Sequence, residues 1–417
     1  AGRLSDAYGV RRVYLGGMTC FLVASVAVAV APTYPLAAGG RVLQGVANAP
    51  VLPTVMVTIA AVFPPGMRGR AMGLWAAVNG VAIALGPSLG GVVTDALGWR
   101  WAFWFDVPIV ALALVLGRRY VPDLRGARSG GDGGPALDVA GGALMTVGLV
   151  GVMVALSQGT EWGWTNAVVL VLLAGGVALL VAFWRRSTRV EIPFLDLAML
   201  RNRRFGVLAA IAGLQMAVLY GVLFTVPLLL VYVFDRSVGA TGGLVVVLPL
   251  SMIVAGPTMG HLTDRLGIRR LAGAGGVLLV VASLVIAAGV AAESLALVLV
   301  GLVVVGAGVS AIQSPTAVGV TEEIGDTNRG VTMGMFHTIR FLAGVLGTAG
   351  SAALFTAVGG GGDLDALSDS RLTRAFTVDF VCIAMVAVAA AALSRFVPRW
   401  STSASSPGVA PSVVLEV

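Results

Sequence analysis

Twelve apolar runs, most of them about 20 residues long, follow one another along this chain and constrain its fold more than any other feature. An α-helix of about 20 residues spans the roughly 30 Å hydrocarbon core of a bilayer. Only 11% of the residues are charged, against about 25% in a soluble domain. The sequence therefore predicts an all-α polytopic membrane protein with 12 transmembrane helices, at 13–31, 36–62, 71–94, 103–118, 139–158, 167–184, 205–233, 242–260, 271–290, 296–318, 331–357 and 376–394.

The arginines fix the expected orientation. All 27 basic residues are arginine, and nearly all lie between the apolar runs, which excludes the single basic face that nucleic-acid binding needs. If residues 1–12 are cytoplasmic and the chain changes side at every run, 21 arginines fall on the cytoplasmic side and 4 on the other. The positive-inside rule then predicts a multi-pass protein of a bacterial-type cell membrane.

Enzymatic and metal chemistry find little support in the sequence. The chain has two histidines and no lysine, so it lacks the lysine of a nucleotide-binding loop. Its two cysteines, Cys20 and Cys382, lie within apolar runs and are predicted to be packing residues. We therefore expect neither an enzyme nor a metal or cofactor site.

An eleven-residue motif occurs twice, at 2–12 (GRLSDAYGVRR) and at 260–270 (GHLTDRLGIRR). A second landmark, an Arg-Gly pair followed by Met-Gly, occurs at 68–73 and again at 329–334. Two landmarks in the same order indicate an internal duplication. The repeated motif positions considered for function are Gly2, Asp6, Gly9, Arg11 and Arg12, and their counterparts Gly260, Asp264, Gly267, Arg269 and Arg270.

The duplication predicts the domain organisation. Residues 1–120 form an N-terminal bundle, 121–204 a linker with two extra transmembrane helices, 205–397 a six-helix bundle, and 398–417 a disordered cytoplasmic tail. Two apolar runs precede the second motif within its half, whereas none precedes the first. We therefore expect two further helices before residue 1 and fourteen helices in the full protein.

These motifs together resemble the major facilitator superfamily, and within it the fourteen-helix drug:proton antiporters. Besides the repeated loop, the resemblance rests on an R-x-x-Q-G motif, a G-P-x-x-G-G motif and a W-R-W segment at 99–101. The R-x-x-Q-G motif is Arg41, Gln44 and Gly45; the G-P-x-x-G-G motif is Gly86, Pro87, Gly90 and Gly91, with Gly80 one to two turns earlier.

The resemblance implies a fold and an activity. It implies two six-helix bundles with a substrate site between them near mid-membrane, which rock about that site. It implies a monomer in the lipid bilayer that exports hydrophobic or cationic drugs and antibiotics. Protons would be the coupling ion, so the energy source would be the proton gradient and no cofactor would be needed.

The repeated loop has two interpretations. Glycine at Gly9 and Gly267 permits positive φ, and an aspartate can accept bonds from a helix N-terminus or an arginine. By resemblance, Asp6 and its neighbouring arginines form a charge latch at the cytoplasmic gate. Alternatively, the loop is only a topology anchor.

Charged residues inside apolar runs are candidates for the proton path. Arg41 is costly there unless it faces a cavity or a partner, although it could also extend to the interface. His337 and Arg340 lie one turn apart and could line the cavity or form an ordinary polar pair near the helix end. Asp106 is a candidate carboxylate, whereas Asp379 is expected to be an interfacial acid.

The remaining predictions concern helix packing and the cavity. Gly80, Gly86, Pro87, Gly90 and Gly91 are expected to form a kinked face that resembles the antiporter hinge, with small-residue packing as the alternative. Cavity candidates are Gln44, Asn48, Gln215 and Tyr220. Two alternative functions remain open, namely proton-coupled uptake of a metabolite and a truncated, non-transporting membrane protein.

Overall fold

The structure is a computed structural model, and it describes residues 8–64, 67–75, 77–78, 82, 93–94, 97–123, 138–190, 193–194, 202–323, 329–359 and 368–397. Within these residues the regular structure is helical, and 11 helices are long and apolar enough to cross a membrane. The predicted all-α polytopic fold is confirmed. The predicted run 71–94 lies largely outside the described residues.

The first part of the chain forms four described helices: α1 (Val10–Ala29), α2 (Tyr34–Asn48), α3 (Val51–Val62) and α4 (Arg100–Tyr120). Helix α1 packs against α2, α3 and α4. The apolar run predicted at 36–62 is divided into α2 and α3, because Pro50 and Pro53 supply no backbone N–H at this point. Residues 68–75 are also helical.

Two helices between the halves, α5 (Val139–Trp162) and α6 (Ala167–Ser187), pack closely against each other. Small residues allow this approach: a Cβ on Gly148 would lie 3.0 Å from the Gly176 carbonyl oxygen. Asp138 caps α5 by accepting from the Gly141 N–H at 2.9 Å. They lie where the sequence predicts apolar runs at 139–158 and 167–184.

The second half contains α7 (Arg203–Tyr232), α8 (Val238–Val245), α9 (Val247–Leu266), α10 (Ile268–Ala291), α11 (Leu295–Glu323), α12 (Arg329–Gly359) and α13 (Asp369–Leu393). Helix α7 packs against α12, α13 and α11, and α10 packs against α11 and α13. Most of the main buried apolar cluster belongs to these helices. Many large apolar side chains elsewhere are exposed, as lipid-facing helix surfaces require.

The backbone repeats the turn at the two motif copies. Gly9 precedes α1 with φ 88° and ψ 144°, and Gly267 precedes α10 with φ 80° and ψ 161°. Residues that carry a side chain rarely adopt this backbone conformation, which explains why both positions are glycine. In each copy the first arginine, Arg11 or Arg269, is half-buried and the second is exposed.

Helix α12 joins the parts of the molecule at its centre. It contacts α3 of the first half and α5 of the linker, and α11 also contacts α3. The cavity lies along these junctions.

Candidate functional site: a central cavity and a motif-side gate

A cavity of about 740 Å³ lies where the first half, the linker and the second half meet. Its walls come from the α2–α3 junction, from α5 and from α12, with single contributions from α7 and from Phe194. The size suits a drug-sized ligand. None of the described lining residues is aspartate or glutamate.

The structure places the predicted cavity residues differently. Asn48 and Tyr220 line the cavity, and so does His337. Gln44 does not line it; its amide donates to Ser25 Oγ at 2.8 Å and so ties α2 to α1. Gln215 does not line it either, and is fully buried in the second half.

Arg41 takes part in a polar and aromatic cluster of the first half. Its Nη1 donates to Gln44 Oε1 at 3.2 Å, and its guanidinium lies 4.6 Å from the centre of the Phe103 ring. Asp106, which is half-buried on α4, is within electrostatic range of Arg41. The two proton-path candidates of this half are therefore brought together.

His337 and Arg340 are buried on the face of α12 near the cavity. His337 is 6% exposed and Arg340 is 1% exposed. Among the described residues, neither imidazole nitrogen of His337 and neither Nε nor Nη2 of Arg340 has a hydrogen-bond partner. Arg340 instead lies 5.4 Å from the centre of the Phe336 ring. A buried cation with so few described partners is a candidate functional position.

On the motif side, Asp264 joins the two halves. Its Oδ1 accepts from the Gly69 N–H at 3.0 Å and its Oδ2 from the Arg70 N–H at 3.2 Å. These donors belong to the start of the helical residues 68–75, where a carboxylate is favoured by the helix dipole. The aspartate of the second motif copy thus binds a helix of the opposite half.

Glycines allow the helical residues 68–75 to contact α9 closely. A Cβ on Gly73 would lie 2.5 Å from the Gly256 carbonyl oxygen, and a Cβ on Gly256 would lie 2.8 Å from the Gly73 carbonyl oxygen. Gly69 and Gly260 form an equivalent contact one turn away. Only glycine permits this approach without displacement of the backbone. We call the contact between 68–73 and 256–264 the motif-side gate; it is closed in this structure.

Charged side chains surround the gate. Arg70 Nε donates to His261 Nδ1 at 3.2 Å. Glu322 at the end of α11 is within electrostatic range of Arg68 and Asp264. The first half therefore contributes cations and the second half carboxylates, which favours closure.

The other motif residues are placed as follows. A side-chain N–H of Arg11 donates to the Arg118 carbonyl at the end of α4, where a cation is favoured. Gly2 and Asp6 of the first motif copy lie outside the described residues. The helix motif Gly80, Gly86, Pro87, Gly90 and Gly91 lies outside them as well.

Two acidic residues have contacts that the sequence analysis does not anticipate. Asp379, expected to be interfacial, is 1% exposed and accepts from Thr225 Oγ1 at 2.6 Å. It shares one face of α13 with Phe376, Phe380 and Ile383, and this helical spacing could have revealed its burial.

Asp138 is the second of these residues. It accepts from Arg186 Nε at 2.9 Å and from the Phe194 N–H at 3.3 Å, in addition to its bond from Gly141. Burial raises the pKa of Asp138, but the three bonds outweigh it and hold this pKa below its ordinary value. The carboxylate thereby fixes Phe194, a cavity-lining residue, to the linker helices.

Comparison with known proteins agrees with this architecture. The sequence profile described as Major Facilitator Superfamily matches residues 1–348. The chain is 30% identical over 353 residues to the multidrug resistance protein Stp of Mycobacterium tuberculosis, which covers 84% of this chain and 64% of Stp. It is 31% identical over 393 residues to the puromycin resistance protein of Streptomyces alboniger, covering 91% of this chain and 74% of that protein.

Solved structures show the same fold. The human organic anion transporter MFSD10 superposes with a TM-score of 0.66 at 18% identity, covering 94% of this chain and 79% of that one. The proton:xylose symporter XylE superposes with a TM-score of 0.62 at 14% identity, covering 95% of this chain and 82% of that one.

Proposed function

This chain belongs to the major facilitator superfamily, and from that premise we propose that it exports drugs or antibiotics by proton-coupled antiport. The observation that carries the proposal is the apolar cavity of about 740 Å³ at the junction of the halves, with a closed gate on its motif side. Relatives support it by their names: they include the resistance proteins for puromycin and lincomycin and the tetracenomycin C export protein.

The proposed mechanism is alternating access. In this mechanism, the cavity would communicate with the opposite side of the membrane while the motif-side gate is closed, and breaking the Asp264 contacts would open it to the cytoplasm. This assigns the motif loops to the cytoplasmic side, as the arginine distribution favours. Hydrophobic substrates are supported by the apolar lining.

Proton coupling is proposed for ionisable groups within the membrane-spanning helices. Asp106 beside Arg41 would take up and release the proton in the first half, because a nearby cation makes its ionisation sensitive to any change in that pair. His337 and Arg340 would sense the occupied cavity from α12. The first motif copy, with Asp6, would act at the gate in the same way as Asp264.

Export can be tested in cells that lack their own drug exporters. We expect the protein to lower accumulation of puromycin, lincomycin or tetracenomycin C, and a protonophore to restore it. Asp106→Asn should abolish the protonophore-sensitive part. Increased accumulation on expression would instead indicate uptake, and unchanged accumulation of all three compounds would contradict the proposal.

A further inference from the structure

We propose that His337, Tyr220 and Arg340 form a subsite for an anionic group of the ligand, so that the cavity selects hydrophobic organic acids over the matching amides and amines. This refinement rests on the proposed transport function, because it names a substrate class for the same cavity. It begins from His337 and Arg340 on α12, which have buried side-chain nitrogens without a hydrogen-bond partner among the described residues.

His337 provides the direct contact with a ligand. It lines the cavity, is 6% exposed, and has no described hydrogen-bond partner on either ring nitrogen. Phe336 and Phe341 hold the ring, with centroid distances of 5.8 and 6.1 Å. Both nitrogens are buried, so the imidazole donates to an acceptor in the cavity only when the ring turns toward it.

Arg340 places a positive charge behind this contact. It follows His337 by one turn of α12, and its guanidinium interacts electrostatically with Tyr220, whose side chain lines the cavity. Tyr220 in turn packs near α12, since a Cβ on Gly344 would lie 3.3 Å from its ring. Tyr220 and His337 thus line the cavity, whereas Arg340 is buried and does not line it.

The described surroundings offer Arg340 no carboxylate. The groups with which it interacts electrostatically are Tyr220 and His337. Asp379 is associated with Ser351, which lies eleven residues farther along α12, or about 16 Å at the helical rise per residue. The cavity lining described here contains no acidic residue either.

This arrangement has a clear electrostatic consequence. A buried cation without a counter-ion is unfavourable, and an anion that enters the cavity removes that penalty. A cationic ligand would bind more weakly, because Arg340 carries the same charge and repels it in a medium of low dielectric constant. The site therefore favours a carboxylate or phenolate on an otherwise apolar molecule.

Three probes with one aromatic scaffold test the proposal: naphthylacetate, naphthylacetamide and naphthylethylammonium. Their binding to the purified protein in detergent is measured by equilibrium dialysis at neutral pH, without any gradient. We expect the acetate to bind at least about tenfold more tightly than the amide, and the ammonium most weakly.

Variants of Arg340 and His337 test whether the subsite causes the preference for the acetate over the amide. Arg340→Gln should abolish the acetate preference and change amide binding by no more than about twofold, while Arg340→Lys retains most of it. His337→Gln should reduce the preference, and it supplies the test if Arg340→Gln does not fold. Arg236→Gln, a change in an exposed loop, is the matched control and should bind as the wild type does.

The opposite results would overturn the subsite. These are a wild-type protein that binds the acetate no better than the amide, one that binds the ammonium best, or an Arg340→Gln variant that loses all three probes equally. If the protein prefers the acetate but shows no proton-driven export, the subsite stands and the transport proposal is rejected. Proton-driven export without acid preference would reject the subsite alone.

Discussion

The carboxylate of Asp264 holds the motif-side gate closed through two hydrogen bonds. It accepts two backbone N–H groups from the opposite half, so its contacts must break whenever the gate opens. A carboxylate at a helix N-terminus contributes about 0.3–1 kcal/mol, and up to about 2 kcal/mol when partly buried. An asparagine at this position keeps the shape but loses the charge.

We therefore expect Asp264→Asn to slow transport by roughly threefold to 30-fold while drug affinity changes little, since the cavity is untouched. The measurement is drug transport in proteoliposomes alongside equilibrium binding in detergent. Asp235→Asn, in an exposed loop between α7 and α8, is the matched control. Equal loss of binding and transport would count against a gate role for Asp264.

Asp138 leads to a prediction about pH. Its folded pKa lies below the ordinary value of 3.8, so the carboxylate stabilises the fold above that pH and loses this effect as the pH falls through the folded pKa. Its partner Arg186 is 41% exposed, and water screens the pair, so we expect about 1–2 kcal/mol, mainly from the N–H bonds.

Thermal unfolding in detergent measures this contribution. Asp138→Asn should lower the Tm at pH 7, and the difference from the wild type should shrink below about pH 4, where the wild-type carboxyl group also becomes protonated. A difference that stays constant across this range would mean that the charge of Asp138 is not what stabilises the linker.

At the scale of helices, the gate depends on glycine contacts between residues 68–73 and α9. Gly73→Ala would place a Cβ 2.5 Å from the Gly256 carbonyl oxygen, so the closed gate must separate. We expect at least about a tenfold loss of transport, corresponding to about 1.4 kcal/mol of destabilisation of the closed state. Gly16→Ala is the control, because a Cβ there meets nothing within 4 Å.

Cysteine labelling shows whether the gate opens. Ser314 is buried next to the Gly69 carbonyl, so a Ser314→Cys reporter in a background of Cys20→Ser and Cys382→Ala should react faster with a maleimide when Gly73→Ala is added. A slower or unchanged reaction would contradict the proposed role of the glycines.

The linker helix α5 supplies part of the cavity wall, which gives its sequence a role in specificity. Leu149 lines the cavity, whereas the adjacent Val150 is 53% exposed on another face. We expect Leu149→Trp to reduce drug binding at least about tenfold by filling the cavity. Val150→Trp should bind normally; if both variants bind equally well, α5 does not shape the site.

The helices could be predicted from the sequence because the length and polarity of each apolar run follow directly from the thickness of a bilayer. The run predicted at 36–62 matches one candidate membrane span, Tyr34–Val62, but hydropathy does not register the N–H groups that Pro50 and Pro53 lack and so does not predict its division into α2 and α3. The burial of Asp379 differs from the expectation for a related reason: a position near a helix end favours an interfacial acid, whereas Asp379 shares a buried face with Phe376 and Phe380.

At the scale of the whole molecule, the duplication predicts two related halves but says nothing about the way they meet. The motifs identify Asp264, yet its partners Gly69 and Arg70 are about 195 residues away and follow only from the packing. The role of α5 in the cavity wall is likewise a tertiary contact. Such contacts between distant helices depend on how their side chains fit together, which cannot be predicted from the sequence of one apolar run.

Proton exchange in proteoliposomes tests the central proposal most directly. Vesicles with an acidic lumen and an internal pH dye receive the drug outside, and protein-free vesicles correct for passive diffusion. Antiport predicts that the drug speeds alkalinisation of the lumen while it accumulates there, and that a protonophore abolishes accumulation. Accumulation driven only by an acidic exterior, or drug movement without any change in lumenal pH, would contradict proton-coupled export.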